Sequence, residues 1–184
     1  MSASPSHATR EQLEAGLEQL RASPRGEGAV LLIVGRPAVD GREVLEEAAL
    51  DVDDGLVGDN WRSRGRSGGR AANPDAQLTV MNARAAALIA GDRERWPLAG
   101  DQLYVDLDLS DEHLPPGTRL AVGSAVIEVT AEPHTGCSKF SARFGLAALE
   151  LVSSPEGRSL NVRGINTRVV APGTVRVGDS IRRL

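Results

Sequence analysis

Residues 119–130 read RLAVGSAVIEVT, two aliphatic runs on either side of the dipeptide Gly123-Ser124. A two-residue connection with glycine between two such runs is typical of a tight β-hairpin. Similar short runs lie on both sides of this stretch, at 29–34, 43–52, 78–81, 103–107, 161–170 and 180–183. Strands that recur at spacings of about ten residues, with few long helices between them, are typical of closed β architectures. The sequence therefore predicts a mainly β fold, a β-barrel with strongly bent strands and a few short helices.

Three segments show helical patterns instead. The segment 9–22 carries one narrow apolar stripe, so we expect it to pack on the surface of the domain or on a partner subunit; the stripe consists of Leu13, Leu17 and Leu20. A second helix begins after Asn82, a favourable N-cap residue, and a third covers 146–152. Because no repeat divides the rest of the chain, residues 1–27 are predicted to be a tail with a short helix, and 28–184 a single domain.

The composition excludes several classes of protein. Aromatic residues make up only 3% of the 184 residues, so aliphatic side chains must form the core. The net charge of −4 gives no general attraction to nucleic acid or to an anionic membrane. A single cysteine cannot form an internal disulfide, the N-terminus lacks the charged and apolar parts of a signal peptide, and no apolar run is long enough to span a bilayer. We therefore expect a cytoplasmic protein without nucleic-acid or membrane partners and with an undetermined oligomeric state.

The segment 132–140, EPHTGCSKF, contains the only cysteine and the only lysine of the chain. Cys137 stands two residues before Lys139 and three residues after His134. A nearby cation, an imidazole and the start of a helix all favour the thiolate form of a cysteine, which is the form that attacks electrophiles and binds metals. The alternative is a small buried hydrophobic side chain, as most free cysteines are. Cys137, His134 and Lys139 are the candidate catalytic residues.

The remaining residues limit the chemistry that this thiol can perform. A papain-like site needs a distant histidine as base, and the chain has only His7, His113 and His134. A structural zinc site needs about four ligands, which one cysteine and one well-placed histidine do not supply. What remains is a lone soft thiolate, so Cys137 is predicted either to carry sulfur as a persulfide or to serve as a ligand to a soft metal centre.

Arginines form the second candidate constellation. The segment 61–70, WRSRGRSGGR, holds four arginines and is interpreted first as a solvated loop that balances the aspartates just upstream. Its functional alternatives are a phosphate clamp and a nucleic-acid contact, and the acidic net charge opposes the second. Arg36 follows a buried strand and Arg163 lies at the start of another, so both are better placed to project into a pocket. The pairs Gly58-Asp59, Gly100-Asp101 and Gly178-Asp179 are interpreted as turns.

Seven blocks of sequence, taken in order, resemble the MOSC domain family, named after the C-terminal domain of molybdenum cofactor sulfurase. The blocks are LVGDNW (56–61), QLTVMN (77–82), GDQLYV (100–105), LPPGTRLAVG (114–123), EPHTGCSKF (132–140), RGI (163–165) and GTVRVGDSI (173–181). Each block alone is weak, but their order and the position of the sole cysteine are specific. The resemblance covers about residues 28–184 and implies a barrel of strongly bent strands, of the MOSC or pyruvate-kinase-barrel type.

The resemblance also implies a function. Cys137 matches the cysteine that the family is proposed to use, either to carry sulfur from pyridoxal-phosphate-dependent desulfurases or to ligate the molybdenum of the pterin cofactor. Relatives that bind this cofactor reduce N-hydroxylated compounds with electrons from a partner. The phosphate and the pterin would then be held by residues that include Arg36, Asn82, Ser138 and Arg163. Pyridoxal phosphate is not expected on this chain itself, because nothing around Lys139 resembles a dedicated site.

The sequence thus predicts a standalone MOSC-domain protein that binds molybdenum cofactor, carries a persulfide on Cys137, or does both. The extra N-terminal β-domain of the amidoxime-reducing relatives and any fused desulfurase or ferredoxin domain are absent from the chain, so we expect a cysteine desulfurase or an electron-transfer protein as partner. Whether the chain is an oxidoreductase or a sulfur-transfer protein is left open. The alternative from a different class is a non-catalytic barrel that binds a small ligand or a partner and has an inert, buried thiol.

Overall fold

The computed structural model describes residues 6–64 and 70–184. The strands within these ranges are β1 (Glu27–Gly35), β2 (Glu43–Leu45), β3 (Glu47–Asp51), β4 (Gly55–Leu56), β5 (Leu78–Asn82), β6 (Leu103–Asp106), β7 (Arg119–Val122), β8 (Ala125–Val129), β9 (Ile165–Ala171), β10 (Gly173–Arg176) and β11 (Ser180–Arg183). The α-helices are α1 (Arg10–Arg21), α2 (Trp61–Arg64), α3 (Ala83–Ala90), α4 (Ser138–Phe144), α5 (Leu146–Ser153) and α6 (Pro155–Ser159). Two 3₁₀ segments cover Pro74–Ala76 and Arg93–Ala99.

Seven strands close into a mixed barrel, which confirms the predicted fold class. Around the barrel the order is β1, β6, β5, β9, β8, β7 and β11, and β11 pairs back onto β1 to close it. All neighbouring strands are antiparallel except β5 and β6, which run parallel. Strand β2 adds to one end of β1, and β10, β3 and β4 form a separate three-stranded sheet. Buried aliphatic side chains from the strands fill the barrel.

The strand predictions are right where the aliphatic pattern is unbroken. The segment 119–130 forms the expected hairpin, in which Leu120 pairs with Ile127. The strand predicted at 161–170 is wrong in its first part, since β9 starts only at Ile165. Asn161 and Gly164 adopt left-handed backbone angles (φ 47° and 107°), which a strand does not allow. The run at 43–52 is divided between two strands, of which β2 pairs with β1 and β3 pairs with β10.

Helices α1, α3 and α5 cover one outer face of the barrel. Helix α1 begins with a capping box, in which the Gln12 N–H donates to Thr9 Oγ1 (3.2 Å) and the Thr9 N–H donates to Gln12 Oε1 (2.9 Å). Its predicted leucine stripe is buried against α3 and α5 of the same chain. Residues 1–5 of the predicted N-terminal tail lie outside the described residues. Of the helices in the described ranges, none is both long and apolar enough to cross a membrane.

The barrel brings separate parts of the chain together at one of its ends. Arg36 directly follows β1, and Gly100 and Asp101 lie just before β6, which pairs with β1. Arg163 lies just before β9, and the irregular segment 131–137, which follows β8, leads into α4. The candidate site lies where these connections meet.

Candidate functional site

A cavity of about 380 Å³ opens at this end of the barrel, and Cys137 forms part of its wall. His134, Phe140, Thr79 and Asn166 also line the cavity. Six cationic side chains line it as well, and they come from the turn after β1, from helices α2 and α4, and from the segment just before β9: Arg36, Arg42, Arg64, Lys139, Arg143 and Arg163. Asp40 and Glu132 are the carboxylates of the lining, so the sole thiol of the protein lies in a cavity with an excess of cationic side chains.

Cys137 is exposed, so the alternative of a buried thiol is wrong. The residue has extended backbone angles (φ −129°, ψ 179°) and is the N-cap of α4. Its carbonyl oxygen accepts the Ser141 N–H at 3.1 Å, while its side chain makes no capping hydrogen bond. Helix α4 begins directly after the cysteine, so a helix start, one of the features that favour a thiolate, is present at this position. The thiol is accessible to a ligand or a reagent that enters the cavity.

His134 is tied to a buried ion pair. Its Nε2 lies 2.7 Å from Oδ1 of Asp101, whose other oxygen accepts a hydrogen bond from Arg163 Nη1 at 2.5 Å. Asp101 is fully buried, and Arg163 Nη2 donates to the carbonyl of Ala99 at 2.8 Å. The guanidinium of Arg163 also lies over the Phe140 ring, 5.1 Å from its centroid. Asp101 therefore holds both a histidine and an arginine at the cavity wall.

The electrostatics of this cluster fix the protonation of His134. Burial alone would raise the pKa of Asp101, but Arg163 and His134 outweigh it and hold this pKa at about 2. Burial lowers the pKa of His134, and Arg163 acts in the same direction, whereas Asp101 opposes them. The imidazole is therefore neutral at pH 7 and donates its Nε2 proton to the carboxylate of Asp101. Nδ1 is left as a proton acceptor, with no hydrogen-bond partner among the described residues.

Arg36 is held in the same way by a second buried carboxylate. Its Nε and Nη2 donate to the two oxygens of Asp59 at 2.9 and 2.8 Å, and its Nη1 donates to the carbonyl of Gly100 at 3.0 Å. The backbone N–H groups of Arg36 and Trp61 also donate to Asp59, at 3.0 and 2.9 Å. A bidentate pair of this kind fixes the guanidinium in one orientation.

Two of the three Gly-Asp pairs therefore do more than form turns. Gly58 and Gly100 have the left-handed backbone angles of a turn (φ 90° and 92°), as predicted. Asp59 and Asp101, however, are the buried counter-ions of the cavity arginines, a role that the sequence analysis missed. Only Asp179 keeps the local role, because it accepts the Arg176 N–H at 2.7 Å. No local signal separates them: Gly100-Asp101 and Gly178-Asp179 both precede barrel strands (β6 and β11), whereas Gly58-Asp59 follows β4 of the three-stranded sheet.

Lys139 has a carboxylate partner. Its Nζ donates to both oxygens of Asp40 at 3.0 and 3.2 Å, and Arg143 Nη2 donates to Asp40 Oδ1 at 3.0 Å. The sequence predicted that the charge of Lys139 acts on Cys137, and the structure shows that Asp40 compensates part of this charge. Neither Asp40 nor Arg143 stands out in the sequence, because both come to the cavity through contacts between distant segments.

Arg42 and Arg64 add to the positive charge of the cavity. Burial lowers the pKa of Arg42, and so do the nearby charges of Arg143 and Arg36. Burial also lowers the pKa of Arg64, again with a contribution from Arg36. In the arginine segment, Arg62 pairs with Asp54 at 2.7 Å, as the interpretation of a solvated loop predicts, whereas Arg64 lines the cavity. Residues 65–69 of that segment lie outside the described residues.

The structure leaves two of the predicted cofactor contacts outside this cavity. Asn82 is buried and caps α3, with its Oδ1 accepting the Arg84 N–H at 2.8 Å and its Nδ2 donating to Ser23 and to the carbonyl of Leu107. Ser138, the first residue of α4, is exposed but does not line the cavity. Asn82 thus has a structural role, and Arg36 and Arg163 are the predicted contacts that the fold brings to the cavity.

The cavity offers few metal ligands from the protein. Within residues 6–64 and 70–184, no three His, Cys, Asp or Glu side chains come together in a group that could hold a metal ion. Cys137 is the soft ligand available there, so a metal bound in this cavity would take its other ligands from a cofactor or from solvent.

The chain matches the MOSC domain family model over residues 67–182. No curated protein sequence matches it significantly. Among solved structures it is similar to the YUAD protein from Bacillus subtilis, with 17% identity, a TM-score of 0.61 and coverage of 84% of this chain and 94% of that one. It is also similar to YiiM from Escherichia coli (21% identity, TM-score 0.56, 85% of this chain and 69% of that one) and to YiiM from Geobacillus stearothermophilus (15%, 0.57, 85% and 75%). The family match covers more than half of the sequence, and the solved structures share its fold. The chain therefore belongs to the MOSC domain family.

Proposed function

We propose that this chain binds the molybdenum cofactor in the cationic cavity, with Cys137 as a thiolate ligand of the metal. The observation that carries the proposal is the exposed sole thiol in a cavity lined by six cationic side chains, in a protein whose net charge is −4. The molybdenum cofactor joins a soft metal centre to a phosphate-bearing pterin. A thiolate suits the first part and arginines suit the second, so the donor set of the cavity fits the group.

Unpartnered polar atoms on the cavity wall support a polar ligand. Nε of Arg163 and Oδ1 of Asn60 are buried and have no hydrogen-bond partner in the described part of the chain, and both residues line the cavity. A buried donor or acceptor without a partner is destabilising, so a ligand that satisfies it would gain binding free energy. When bound, the cofactor would supply redox chemistry of the kind that relatives use to reduce N-hydroxylated compounds, with electrons from a partner protein.

The residues of the chain would bind and orient the ligand, and one of them would move protons. Arg36 and Arg163 are fixed by buried carboxylates, so they lose little conformational freedom when they bind an anion. His134 is neutral and Asp101 orients its ring, so Nδ1 can accept a proton and return it. Cys137 contributes the thiolate. His134 and Cys137 line the same cavity, so a proton acceptor that is oriented by a carboxylate shares this cavity with the thiol.

Sulfur transfer is the second candidate function, and the accessibility of Cys137 favours it. In this reaction the Cys137 thiolate attacks the terminal sulfur of a persulfide on a donor such as a cysteine desulfurase. The donor S–S bond breaks, the donor leaves as a thiolate, and the terminal sulfur becomes the outer sulfur of a persulfide on Cys137. One thiolate and one persulfide, with its single S–S bond, are present both before and after the reaction. The transfer therefore needs no further oxidant or reductant.

The test compares metal and pterin content in protein purified from cells that make the cofactor. We expect about one molybdenum and one pterin per wild-type chain, and loss of the metal in Cys137→Ser. Arg42→Met, in the cavity, should lower the pterin content, whereas Arg182→Met, an exposed control on β11, should not. Molybdenum is measured by elemental analysis and pterin by the fluorescence of its oxidised form.

Wild-type protein without metal and pterin would contradict the cofactor proposal. The sulfur-transfer candidate is then tested with a cysteine desulfurase and ³⁵S-cysteine. Label that is bound to the wild type, released by a thiol reductant and absent from Cys137→Ser supports this second function. An unlabelled wild type would contradict it.

A further inference from the structure

The turn between β1 and β2 brings one carboxylate of the cavity lining into contact with α4. Asp40 lies in this turn and bonds to Lys139 Nζ at 3.0 and 3.2 Å and to Arg143 Nη2 at 3.0 Å, both on α4. All three side chains line the same cavity as Cys137. Asp40 is thus paired with two cations of the cavity in which the ligand is proposed to bind.

This ion pair differs from the other two at the site. Asp59 and Asp101 are fully buried beside their arginines, so removing either carboxylate would leave a buried guanidinium unpaired. The side chains of Asp40 and Lys139 are 55% and 58% exposed. Exposed ion pairs contribute little to stability, because water and salt screen them and two flexible side chains must be ordered. At Lys139 an incoming anion can therefore exchange with Asp40 at little cost. The side chain of Arg143 is 25% exposed, and its Nη1 also donates to the carbonyl of Leu98 at 2.8 Å, so this guanidinium is held in place without Asp40.

The backbone of Asp40 indicates that its position is imposed by the turn. Its φ is +58°, a left-handed conformation that is unfavourable for most residues with a Cβ and is tolerated by aspartate and asparagine. The turn is closed by the Gly41 N–H donating to the Ala38 carbonyl at 3.0 Å, and Val39 at its tip is 71% exposed. The turn has no regular secondary structure, so the carboxylate can leave α4 without disturbing a strand or helix.

We propose that Lys139 and Arg143 form a subsite for a phosphate group of the ligand, and that Asp40 occupies this subsite as an internal competitor until the phosphate displaces it. A phosphate offers more charge and more acceptor oxygens than a carboxylate, so it can bond to both cations. Because Asp40 neutralises part of their charge, it also lowers the affinity of the empty cavity for weaker anions. The proposal deepens the proposed function by locating one anionic group, and it needs only that the cavity binds a phosphate-bearing molecule.

The first experiment measures pyrophosphate binding to the full-length protein by isothermal titration calorimetry. Asp40→Asn should bind about two- to fivefold more tightly than the wild type, because it removes the competitor while asparagine still tolerates the left-handed backbone. Lys139→Met and Arg143→Met should bind at least about threefold more weakly. Glu11→Gln, an exposed residue on α1, makes the same change in net charge as Asp40→Asn and should leave the affinity unchanged. Arg182→Met is the corresponding control for Arg143→Met.

The second experiment uses Cys137, the only thiol, as a reporter of the cavity. The rate of alkylation by anionic iodoacetate, divided by the rate with neutral iodoacetamide, should rise in Asp40→Asn and fall in Lys139→Met. Circular dichroism of each variant shows whether it is folded. Unchanged or weaker pyrophosphate binding by folded Asp40→Asn, or an equal gain in Glu11→Gln, would overturn the proposal.

These results can be separated from the test of the cofactor. If Asp40→Asn binds pyrophosphate more tightly and also carries more pterin after purification, the subsite belongs to the phosphate of the cofactor. If pyrophosphate binding improves while the wild type carries no pterin, the subsite takes a free phosphate or pyrophosphate, and only the cofactor proposal fails. If the wild type carries cofactor but Asp40→Asn gains no affinity for pyrophosphate, only the subsite fails.

Discussion

At the scale of single residues, the site depends on carboxylates whose partners are far away in sequence. The spacing of His134, Cys137 and Lys139 is local, so the sequence could predict that these residues share a site. Asp101, by contrast, meets Arg163 across 62 residues, and only the closure of the barrel brings them together. Local sequence around Asp101 indicates a turn, and this is correct for Gly100. The role of the carboxylate could not be inferred without the fold.

The buried position of Asp101 predicts a large loss of stability in Asp101→Asn. The pKa of Asp101 is about 2 in the folded protein, compared with 3.8 for an aspartate that has no folded structure around it. A carboxyl whose pKa is lowered on folding stabilises the protein above its unfolded pKa, here by about 2 kcal/mol. This contribution is lost as the pH falls from about 4 to about 2. Asp101→Asn also leaves Arg163 buried without a counter-ion, so we expect a total loss of about 3 kcal/mol or more at pH 7.

Urea unfolding at pH 7, 4 and 2, followed by circular dichroism, measures this difference. The gap between wild type and Asp101→Asn should shrink as the pH falls, because acid protonates the carboxyl that the variant lacks. Asp179→Asn is the matched control, since its carboxylate bonds only within its own turn and should cost much less. A gap that stays constant down to pH 2 would mean that the charge of Asp101 does not stabilise the fold.

At the scale of strands and helices, the sequence predicts an element correctly where residues within that element determine its ends. The hairpin at 119–130 and the helix after Asn82 follow from turn and capping chemistry that lies within a few residues. The start of β9 could not be predicted in this way. Residues 161–164 look like part of a strand, but left-handed angles at Asn161 and Gly164 turn the chain so that Arg163 reaches the cavity.

This turn predicts that Gly164→Ala is more harmful than Gly178→Ala, a substitution of another glycine with positive φ. A Cβ at Gly164 would lie 2.5 Å from the Val80 carbonyl oxygen and 3.2 Å from Cδ2 of His134. Gly178 has a similar φ of 92°, and nothing lies within 4 Å of a Cβ built there. Gly178→Ala should therefore cost only the backbone strain, about 1 kcal/mol, and Gly164→Ala about 1–3 kcal/mol more. Chemical denaturation of both variants gives the comparison, and equal losses would show that the turn relaxes without strain.

At the scale of the whole molecule, two opposite charges act on a reagent that approaches Cys137. The protein carries a net charge of −4, which would repel an anion from a distance. Six cations line the cavity, and four carboxylates offset part of their charge: Asp40 and Glu132 in the lining, and Asp59 and Asp101 beside Arg36 and Arg163. The positive charge that remains would attract the same anion at close range. Fields in a cleft are focused by its low-dielectric walls, so we expect the local charge to dominate the reaction of the thiol. The sign of the salt effect distinguishes the two fields.

Salt should therefore slow the alkylation of Cys137 by iodoacetate relative to iodoacetamide. Raising the salt from about 10 mM to about 500 mM shortens the screening length from about 30 Å to a few ångströms and should lower the ratio of the two rates about two- to threefold. The ratio cancels any effect of salt on the thiolate fraction, since both reagents react with the same thiolate. If the net charge governed the approach, screening would remove a repulsion and the ratio would rise. A rise would mean that the cationic cavity does not act on ligands at Cys137, and the proposed phosphate binding would lose its electrostatic basis.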